Sequence, residues 1–306
     1  MKRTFDFMGN RNKFFAFSGA LIAITIIFVA VFGIIMDIEF KGGSILTYSY
    51  AGEIDQETFD KELSSLVGGS VSVQRSSDVV TGKETLVVSL PGSEAQTADT
   101  LLSMTESLRE KFPDNDVESI ATSNVDPIIG REFLYKSIVA VLFASILVIA
   151  YIALRFRKIG GWSAGVMAMI ALFHDIVIVF AVFVLFRIPI NNNFIAVVLT
   201  ILGFSLNDTI VIYDRIRENQ QLYKNKMSLS ELVNLSINQS ITRSVNTTLC
   251  ALMGMIIVTI LAFVYNVDSI LSFSLPMLFG LISGAYSTIC LAGPLWVMWK
   301  SKARNV

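Results

Sequence analysis

The sequence predicts a polytopic α-helical membrane protein with six transmembrane helices and an α+β, ferredoxin-like (βαββαβ) extracytoplasmic domain between helices 1 and 2. Three observations predict this class. Hydrophobic residues make up 53% of the 306 residues and charged residues only 16%, whereas soluble domains carry about 25% charged residues. The mean hydropathy is +0.63. Six long apolar stretches are interrupted by one long polar segment after the first. A soluble globule cannot hide this much apolar surface behind so few charges.

The six apolar stretches are candidates for membrane spans, since a helix needs about 20 residues to cross a bilayer core. The first is too long for a signal peptide, and no A-x-A-like cleavage site precedes Asp37, so we expect a retained anchor. The chain is thus divided into an N-terminus (1–13), a first span (14–36), an extracytoplasmic domain (37–136), spans 2–6 (137–299) and a C-terminus (300–306). The stretches are Phe14–Met36, Ile138–Leu154, Trp162–Phe186, Phe194–Tyr213, Thr247–Tyr265 and Ile270–Trp299.

Basic residues cluster at one end of the predicted spans. They precede the first span, follow the second and fourth spans, and follow the sixth. The short loops at the opposite end carry only Arg187 and Asp268. The positive-inside rule therefore predicts that both termini are cytoplasmic. The clustered residues are Lys2, Arg3, Arg11, Lys13, Arg155, Arg157, Lys158, Arg215, Arg217, Lys224, Lys226, Lys300, Lys302 and Arg304.

The polar segment 37–136 contains 8 Lys and Arg against 18 Asp and Glu, a net charge of −10. This charge suits an extracytoplasmic module and argues against binding to anionic lipid. The net charge of −1 for the whole chain excludes a strongly basic nucleic-acid binder. Hydrophobic periodicity gives the order strand, helix, strand, strand, helix, strand, which is the ferredoxin-like arrangement. The predicted strands are Ser44–Tyr50, Ser70–Arg75, Thr85–Leu90 and Val117–Ser123, and the helices are Asp55–Val67 and Glu94–Phe112.

Asp208 is the strongest functional candidate, because ionisable groups within membrane spans are costly and persist mainly where they work or are paired. It lies near the cytoplasmic end of the fourth span, among Ser205, Asn207 and Thr209. Arg243, in the segment that opens the fifth span, is its natural counter-ion. An acid that is ionised beside arginine and protonated when released can drive a conformational cycle. The alternatives are a structural aspartate and an arginine that snorkels to the interface.

Two further groups of polar residues are candidates for supporting roles. Gln239, Arg243 and Asn246 share a helix face by their spacing. At the end of the fourth span, Asp214 and Arg215 belong to a charged stretch that is either a solvated helix end or an element of gating or docking.

His174 and Asp175 lie near the midpoint of the third span. Adjacent helical residues point about 100° apart, so we expect the two side chains to face different neighbours. We interpret His174 as structural or supporting. Asp175 is a second coupling candidate, with a purely structural role as the alternative.

Catalytic and cofactor motifs are missing from the sequence. It contains no P-loop, GxSxG, HExxH, Cys/His metal spacing or Rossmann fingerprint. We therefore expect no enzymatic activity and no cofactor or metal, apart from H⁺ or Na⁺ as a coupling ion. A membrane-embedded aspartyl protease built on Asp175 and Asp208 stays open, and it requires the two acids to share a proton.

Five stretches carry a resemblance to a known family. They are FDFMGNR (5–11), IEFKGGS (38–44), FHDIVIVF (173–180), GFSLNDTIVIYDRIREN (203–219) and NQSITRS (238–244). With six spans and one large loop after the first, the chain resembles the SecF family, the smaller subunits of the bacterial SecDF protein-translocation complex. That family is related to the resistance-nodulation-division transporters.

The resemblance implies a function and partners. SecF-like proteins pair with SecD and assist the SecYEG channel and its ATPase SecA, and YajC and YidC are further expected partners. The substrate is an unfolded preprotein, the energy source is the proton or sodium gradient, and the location is the bacterial plasma (inner) membrane. The coupling residues of the family correspond to Asp208 and Arg243. Glu39 stands where the family commonly has Asp, which we expect to alter local geometry at the membrane exit.

Two other functions stay open. A passive scaffold that stabilises SecD and the channel predicts that Asp208 is dispensable. A small-molecule exporter half of the same superfamily predicts an apolar, aromatic-lined pocket in the external domain, and the acidic, serine-rich segment gives little sign of one.

Overall fold

The computed structural model describes residues 5–52, 54–67, 71–77, 84–91, 98–223, 226–265 and 267–302. Four of the basic residues that predict the orientation, at positions 2, 3, 224 and 304, lie outside these ranges. The first elements are α1 (Arg11–Phe32), α2 (Ile38–Lys41), β1 (Gly43–Ser49), α3 (Gln56–Val67), β2 (Ser72–Ser77), β3 (Glu84–Pro91), α4 (Ala98–Lys111) and β4 (Glu118–Val125). The later elements are α5 (Pro127–Arg155), α6 (Gly161–Leu185), α7 (Asn192–Leu222), α8 (Leu229–Val264), α9 (Asp268–Ser287), a π-helical segment (Thr288–Ala292) and α10 (Gly293–Lys302).

Six helices in the described part of the chain are long and apolar enough to cross a membrane: α1, α5, α6, α7, α8 and the continuous run from α9 to α10. The chain is thus a multi-pass membrane protein, as predicted. Two helices begin well before the apolar stretches that predicted them. Asp126 caps α5 through the amide of Ile128, with Pro127 in the first turn, and Ser228 and Glu231 form a capping box on α8. Capping residues, which a hydropathy window ignores, set these helix starts.

The helices divide into a central group and a peripheral group. In the apolar windows of α6, α7 and α9–α10, 50%, 44% and 67% of the residues are buried, against 11%, 17% and 11% in α1, α5 and α8. The third, fourth and sixth spans therefore form the centre of the bundle. Because the surfaces of α1 and α5 are apolar, they can face lipid without cost.

The segment between α2 and α5 forms a sheet in the order β2–β3–β1–β4, in which all neighbouring strands are antiparallel. Helices α3 and α4 supply Phe59, Leu63, Met104 and Leu108 to its core. The predicted strands and helices agree with the observed elements to within a few residues where they are described. Residues 70 and 94–97 of those predictions lie outside the described ranges. In α3, Phe59 and Leu63 are buried, whereas Leu66 in the last turn is 41% exposed.

A short connection joins this domain to the bundle. The Asp37 amide donates to the Ile190 carbonyl at 3.1 Å, and the Ile190 amide donates to the Ile35 carbonyl at 2.9 Å. The Glu39 carboxylate accepts a hydrogen bond from the amide of Asn192, the first residue of α7, at 2.9 Å. Burial raises the pKa of both the Asp37 and Glu39 carboxyls. The base of the domain is therefore bonded directly to the N-terminus of the fourth span.

Gly161 offers a test of the packing at the opposite end of the bundle. It begins α6, and a Cβ atom added to it would overlap the backbone carbonyl of Ala153 in α5. We expect Gly161→Ala to cost about 1–3 kcal/mol, because a backbone contact cannot move as a side chain can. The measurement is the thermal unfolding midpoint of the purified protein. Gly19→Ala is the matched control, since nothing lies within 4 Å of that position, and equal midpoints for the two variants would contradict the packing described.

Candidate functional site

Asp175 lies at the centre of the bundle and is 0% exposed. Its carboxylate accepts hydrogen bonds from three serine hydroxyls on two other spans: Ser283 at 2.6 Å, Ser287 at 2.7 Å and Ser205 at 3.0 Å. Ser283 and Ser287 are one helical turn apart on α9, so both can reach the same carboxylate. These bonds connect the third, fourth and sixth spans at one point.

His174 contributes to the same cluster. Its Nδ1 lies 3.3 Å from Asp175 Oδ1 and 3.5 Å from the Ser283 hydroxyl. The expectation that the two adjacent residues face different neighbours is wrong. The two side chains contact each other, and both contact the Ser283 hydroxyl. The Nε2 atom of His174 is buried without a hydrogen-bond partner among the described residues.

A chain of hydroxyl groups continues from this cluster along α7. The Thr288 hydroxyl lies 3.4 Å from the Ser205 hydroxyl and 3.2 Å from the Thr209 hydroxyl, and all three side chains are buried. Thr288 begins the π-helical segment, a geometry that is frequent at functional sites. Ser205 and Thr209 were predicted from the sequence as site residues, whereas Thr288, Ser283 and Ser287 were not. The four-residue spacing of the two serines within an apolar span was the available signal.

Asp208 is 3% exposed and has different partners. Its Oδ2 accepts a hydrogen bond from Thr248 of α8 at 3.4 Å. Arg243 lies near enough to attract the carboxylate electrostatically, yet no salt bridge joins the two side chains, although both are described. The guanidinium is exposed. The antiparallel spans thus bring acid and base close together without direct contact.

No hydrogen bond joins the Asp175 and Asp208 carboxyls in the described part of the chain. Asp175 bonds to serines of α7 and α9, while Asp208 bonds to a threonine of α8. The two acids thus have separate hydrogen-bond partners, whereas an aspartyl protease requires two acids that share a proton.

The supporting candidates on α7 and α8 form an exposed polar face. Asn207 projects from α7, and Arg243 and Asn246 from α8, together with Cys250 and Gly254. Exposed polar side chains are unfavourable against lipid. We define these five residues as the polar face, and it contrasts with the apolar surfaces of α1 and α5.

Beyond the polar face, α7 and α8 are joined by side-chain hydrogen bonds. Gln239 accepts from Arg215 at 2.6 Å and from Asn219 at 2.8 Å, and Asn219 also donates to the Ser236 hydroxyl at 2.8 Å. Asp214 pairs with Arg217 at 2.6 Å and with Arg155 at 3.3 Å. Asp214 and Arg215 therefore hold this end of the bundle together.

The N-terminal segment 5–10 is bound to the same end of α8. Asn234 accepts from the Phe7 amide at 2.8 Å, and Asn238 exchanges two hydrogen bonds with the Phe5 backbone, at 2.9 and 2.8 Å. The two asparagines are one helical turn apart, so they lie on one face. The FDFMGNR stretch is thus fixed against the fifth span.

The chain is a multi-pass membrane protein with six spans and an appended α+β domain. It belongs to the kind of membrane protein that carries ionisable groups within its helix bundle. Residues 104–302 match the family model described as "Protein export membrane protein SecD/SecF, C-terminal". The chain belongs to the SecD/SecF family, which confirms the resemblance drawn from its sequence motifs.

Relatives and a solved structure agree with this assignment. The chain is 33% identical to the protein translocase subunit SecF of Alicyclobacillus acidocaldarius, covering 99% of this chain and 95% of that one. It is 31% identical to the protein translocase subunit SecDF of Bacillus subtilis, covering 97% of this chain but 38% of the relative. The crystal structure of SecDF from Thermus thermophilus superposes with a TM-score of 0.81 at 30% identity, covering 98% of this chain and 39% of that chain. The chain thus spans about two fifths of each SecDF protein.

Asn219 provides a test of the junction between α7 and α8. It is 0% exposed, and its amide group donates to both Ser236 and Gln239. We expect Asn219→Leu to cost about 1–3 kcal/mol, because the buried Ser236 hydroxyl loses its donor. The thermal unfolding midpoint measures this loss. Gln221→Leu, at an exposed position of the same helix, is the control and should change the midpoint little. An equal fall in the midpoints of both variants would refute the described junction between α7 and α8.

Proposed function

We propose that this chain is the SecF-like subunit of a SecDF complex and uses the proton or sodium gradient to assist export of preproteins. A role in protein translocation follows from its family. The observation that carries the gradient coupling is the Asp208–Arg243 pair: a buried acid beside a base that attracts it but does not form a salt bridge with it.

The coupling would depend on two states of Asp208. In one state the carboxylate is ionised and Arg243 balances its charge. In the other it carries a cation, and Arg243 is released. One charge crossing a potential of 100 mV supplies about 2.3 kcal/mol. That free energy biases a two-state equilibrium by about fiftyfold, which is adequate for a repeated weak pull on an exported chain.

The connection between the domain and the bundle supports such a mechanical role. Glu39 bonds to the first residue of α7, and Asp208 lies on the same helix. A helix is stiff along its axis, so a displacement of α7 that follows a change at Asp208 would reach the base of the domain. The domain would then move relative to the membrane.

We propose that SecD covers the polar face. Asn207, Arg243 and Asn246 are exposed on α7 and α8, where lipid would leave their hydrogen bonds unsatisfied. Gly254 leaves open space for close approach of a second helix, since nothing lies within 4 Å of a Cβ atom added there. Two SecDF relatives, in which this chain matches about two fifths of the length, support the same association.

The remaining expectations follow from this function. We propose that the chain lies in the bacterial plasma membrane with both termini cytoplasmic and residues 37–136 outside. The domain would be ferredoxin-like, which its strand order β2–β3–β1–β4 supports. SecYEG, SecA and an unfolded preprotein would be its functional partners, with YajC and YidC in the wider assembly. It would not be an enzyme and would need no cofactor other than H⁺ or Na⁺.

The coupling pair predicts a specific export defect. We expect Asp208→Asn and Arg243→Ala to assemble normally but to lose the gradient-dependent part of preprotein export, because neither can switch between the two charge states. The measurement is the export rate in matched membrane vesicles with the gradient imposed and then collapsed. Glu132→Gln is the control, since this carboxyl is exposed and paired with Lys136.

The outcome separates coupling from a scaffold role. If both variants exported like the parent with the gradient imposed, the chain would act as a passive scaffold and the coupling proposal would be wrong.

The proposed SecD interface predicts a second effect. We expect Gly254→Trp to reduce co-purification of SecD by at least about tenfold, because the indole would hold the two surfaces apart. Gly19→Trp is the matched control, since that glycine is also helical, exposed and without neighbours within 4 Å. Undiminished recovery of SecD with Gly254→Trp would place the interface elsewhere.

A further inference from the structure

The buried carboxylate of Asp175 has no role in the proposed coupling by Asp208 and Arg243, and its surroundings differ from theirs. Among the described residues, no lysine or arginine forms an ion pair with it, and its one titratable contact is His174. A carboxylate at the centre of a span bundle is costly unless its charge is balanced. Apart from His174, its described contacts are serine hydroxyls, which donate hydrogen bonds but supply no compensating charge.

Oxygen atoms surround this carboxylate on several sides. The hydroxyls of Ser205, Ser283 and Ser287 lie within 3.0 Å of its two oxygens, and Thr288 extends the group through Ser205. We define Asp175, Ser205, Ser283, Ser287 and Thr288 as the hydroxyl cage. They come from α6, α7, α9 and the π-helical segment, and all are nine-tenths or more buried. Carboxylate and hydroxyl oxygens are hard ligands that suit small hard cations.

We propose that the hydroxyl cage is a binding site for Na⁺, distinct from the Asp208–Arg243 pair. The proposal deepens the proposed function and rests on it for its physiological meaning, since a loaded cage would be one stage of a cation-driven cycle. Binding itself is a property of the cage that is measured without transport.

The chemistry of serine suits a site that must both bind and release an ion. A hydroxyl group is both a donor and an acceptor. Without the ion, the hydroxyls donate to the Asp175 carboxylate, as their distances of 2.6–3.0 Å show. With the ion, the same hydroxyls rotate and direct their lone pairs at it, while the carboxylate binds the ion directly. The carboxylate therefore keeps a partner in both states, the hydroxyls in the first and the ion in the second.

The π-helical segment supplies a means of adjusting the cage. Thr288 is its first residue and donates to the Ser205 carbonyl at 3.3 Å. Irregular backbone in a span frees carbonyl groups from regular helical bonds, and membrane proteins use such groups to coordinate Na⁺. Gly284, on the preceding turn, packs against Ser205: an added Cβ atom would lie 3.1 Å from the Ser205 Cβ atom and 3.8 Å from Asp175 Oδ2. The cage is therefore closely packed on the side that faces Gly284.

Sodium binding to the purified full chain in lipid nanodiscs tests the proposal. We expect ²²Na⁺ to be retained at about one ion per chain, and NaCl to raise the thermal midpoint above that in an equal concentration of N-methylglucamine chloride. Asp175→Asn should abolish both effects. Ser283→Ala and Ser287→Ala should each weaken sodium binding by about tenfold, the effect of one lost polar contact of about 1.4 kcal/mol.

Two controls make the result specific. Ser274→Ala removes a buried hydroxyl from the same helix, α9, that has no hydrogen-bond partner in the described part of the chain, and it should bind sodium like the parent. Glu132→Gln removes an exposed carboxylate outside the cage and should also bind sodium like the parent. Because binding is measured without a gradient, a failure of the coupling pair is distinguishable from a failure of the cage.

The proposal is overturned if the parent chain retains no sodium, or if sodium and N-methylglucamine give the same midpoint. Should Asp175→Asn fail to fold, the two serine variants decide the matter: unchanged sodium affinity in both would equally overturn it. A midpoint that follows pH but ignores sodium would assign the cage to protons and reject the sodium site.

Discussion

The hydrocarbon core of a membrane offers no hydrogen bonds, and the central helices of this protein are arranged around that constraint. Asp175 is satisfied only because Ser205, Ser283 and Ser287 reach it from the fourth and sixth spans. A shift of either span by one residue would rotate its hydroxyls away and leave the buried carboxylate with fewer donors. The cluster therefore fixes the relative positions of α6, α7 and α9, which are also the most buried helices.

The two buried acids divide the interior into different environments. Asp175 is enclosed by hydroxyl groups from three elements of the same chain. Asp208 lies next to the polar face and has one threonine partner and an arginine nearby. The first is suited to holding a small ion in a fixed shell of oxygen atoms. The second is suited to a change of charge state beside an exposed polar surface. The hydroxyls of Thr209 and Thr288 connect the neighbourhood of one acid with the other.

The fourth span is fastened at both ends. At the domain end, the Glu39 carboxylate accepts from the first residue of the helix, a position where a negative charge also interacts favourably with the helix dipole. At the other end, Arg215 and Asn219 bond to Gln239 of the fifth span. A local change beside Asp208 thus has rigid connections in both directions. The family motif around Asp208 is therefore connected mechanically to the domain and to the fifth span, as well as electrostatically to Arg243.

The sequence by itself determined the number of spans, the order of elements in the domain, and the choice of Asp208, Arg243 and Asp175, because hydropathy, periodicity and misplaced charge are local properties of the chain. It placed the start of α8 too late, since a capping box at Ser228 is a weaker signal than an apolar run. Only the tertiary structure decided which hydroxyls meet Asp175. Ser283 lies 108 residues further along the chain, and its approach depends on how three helices pack, which no local pattern records.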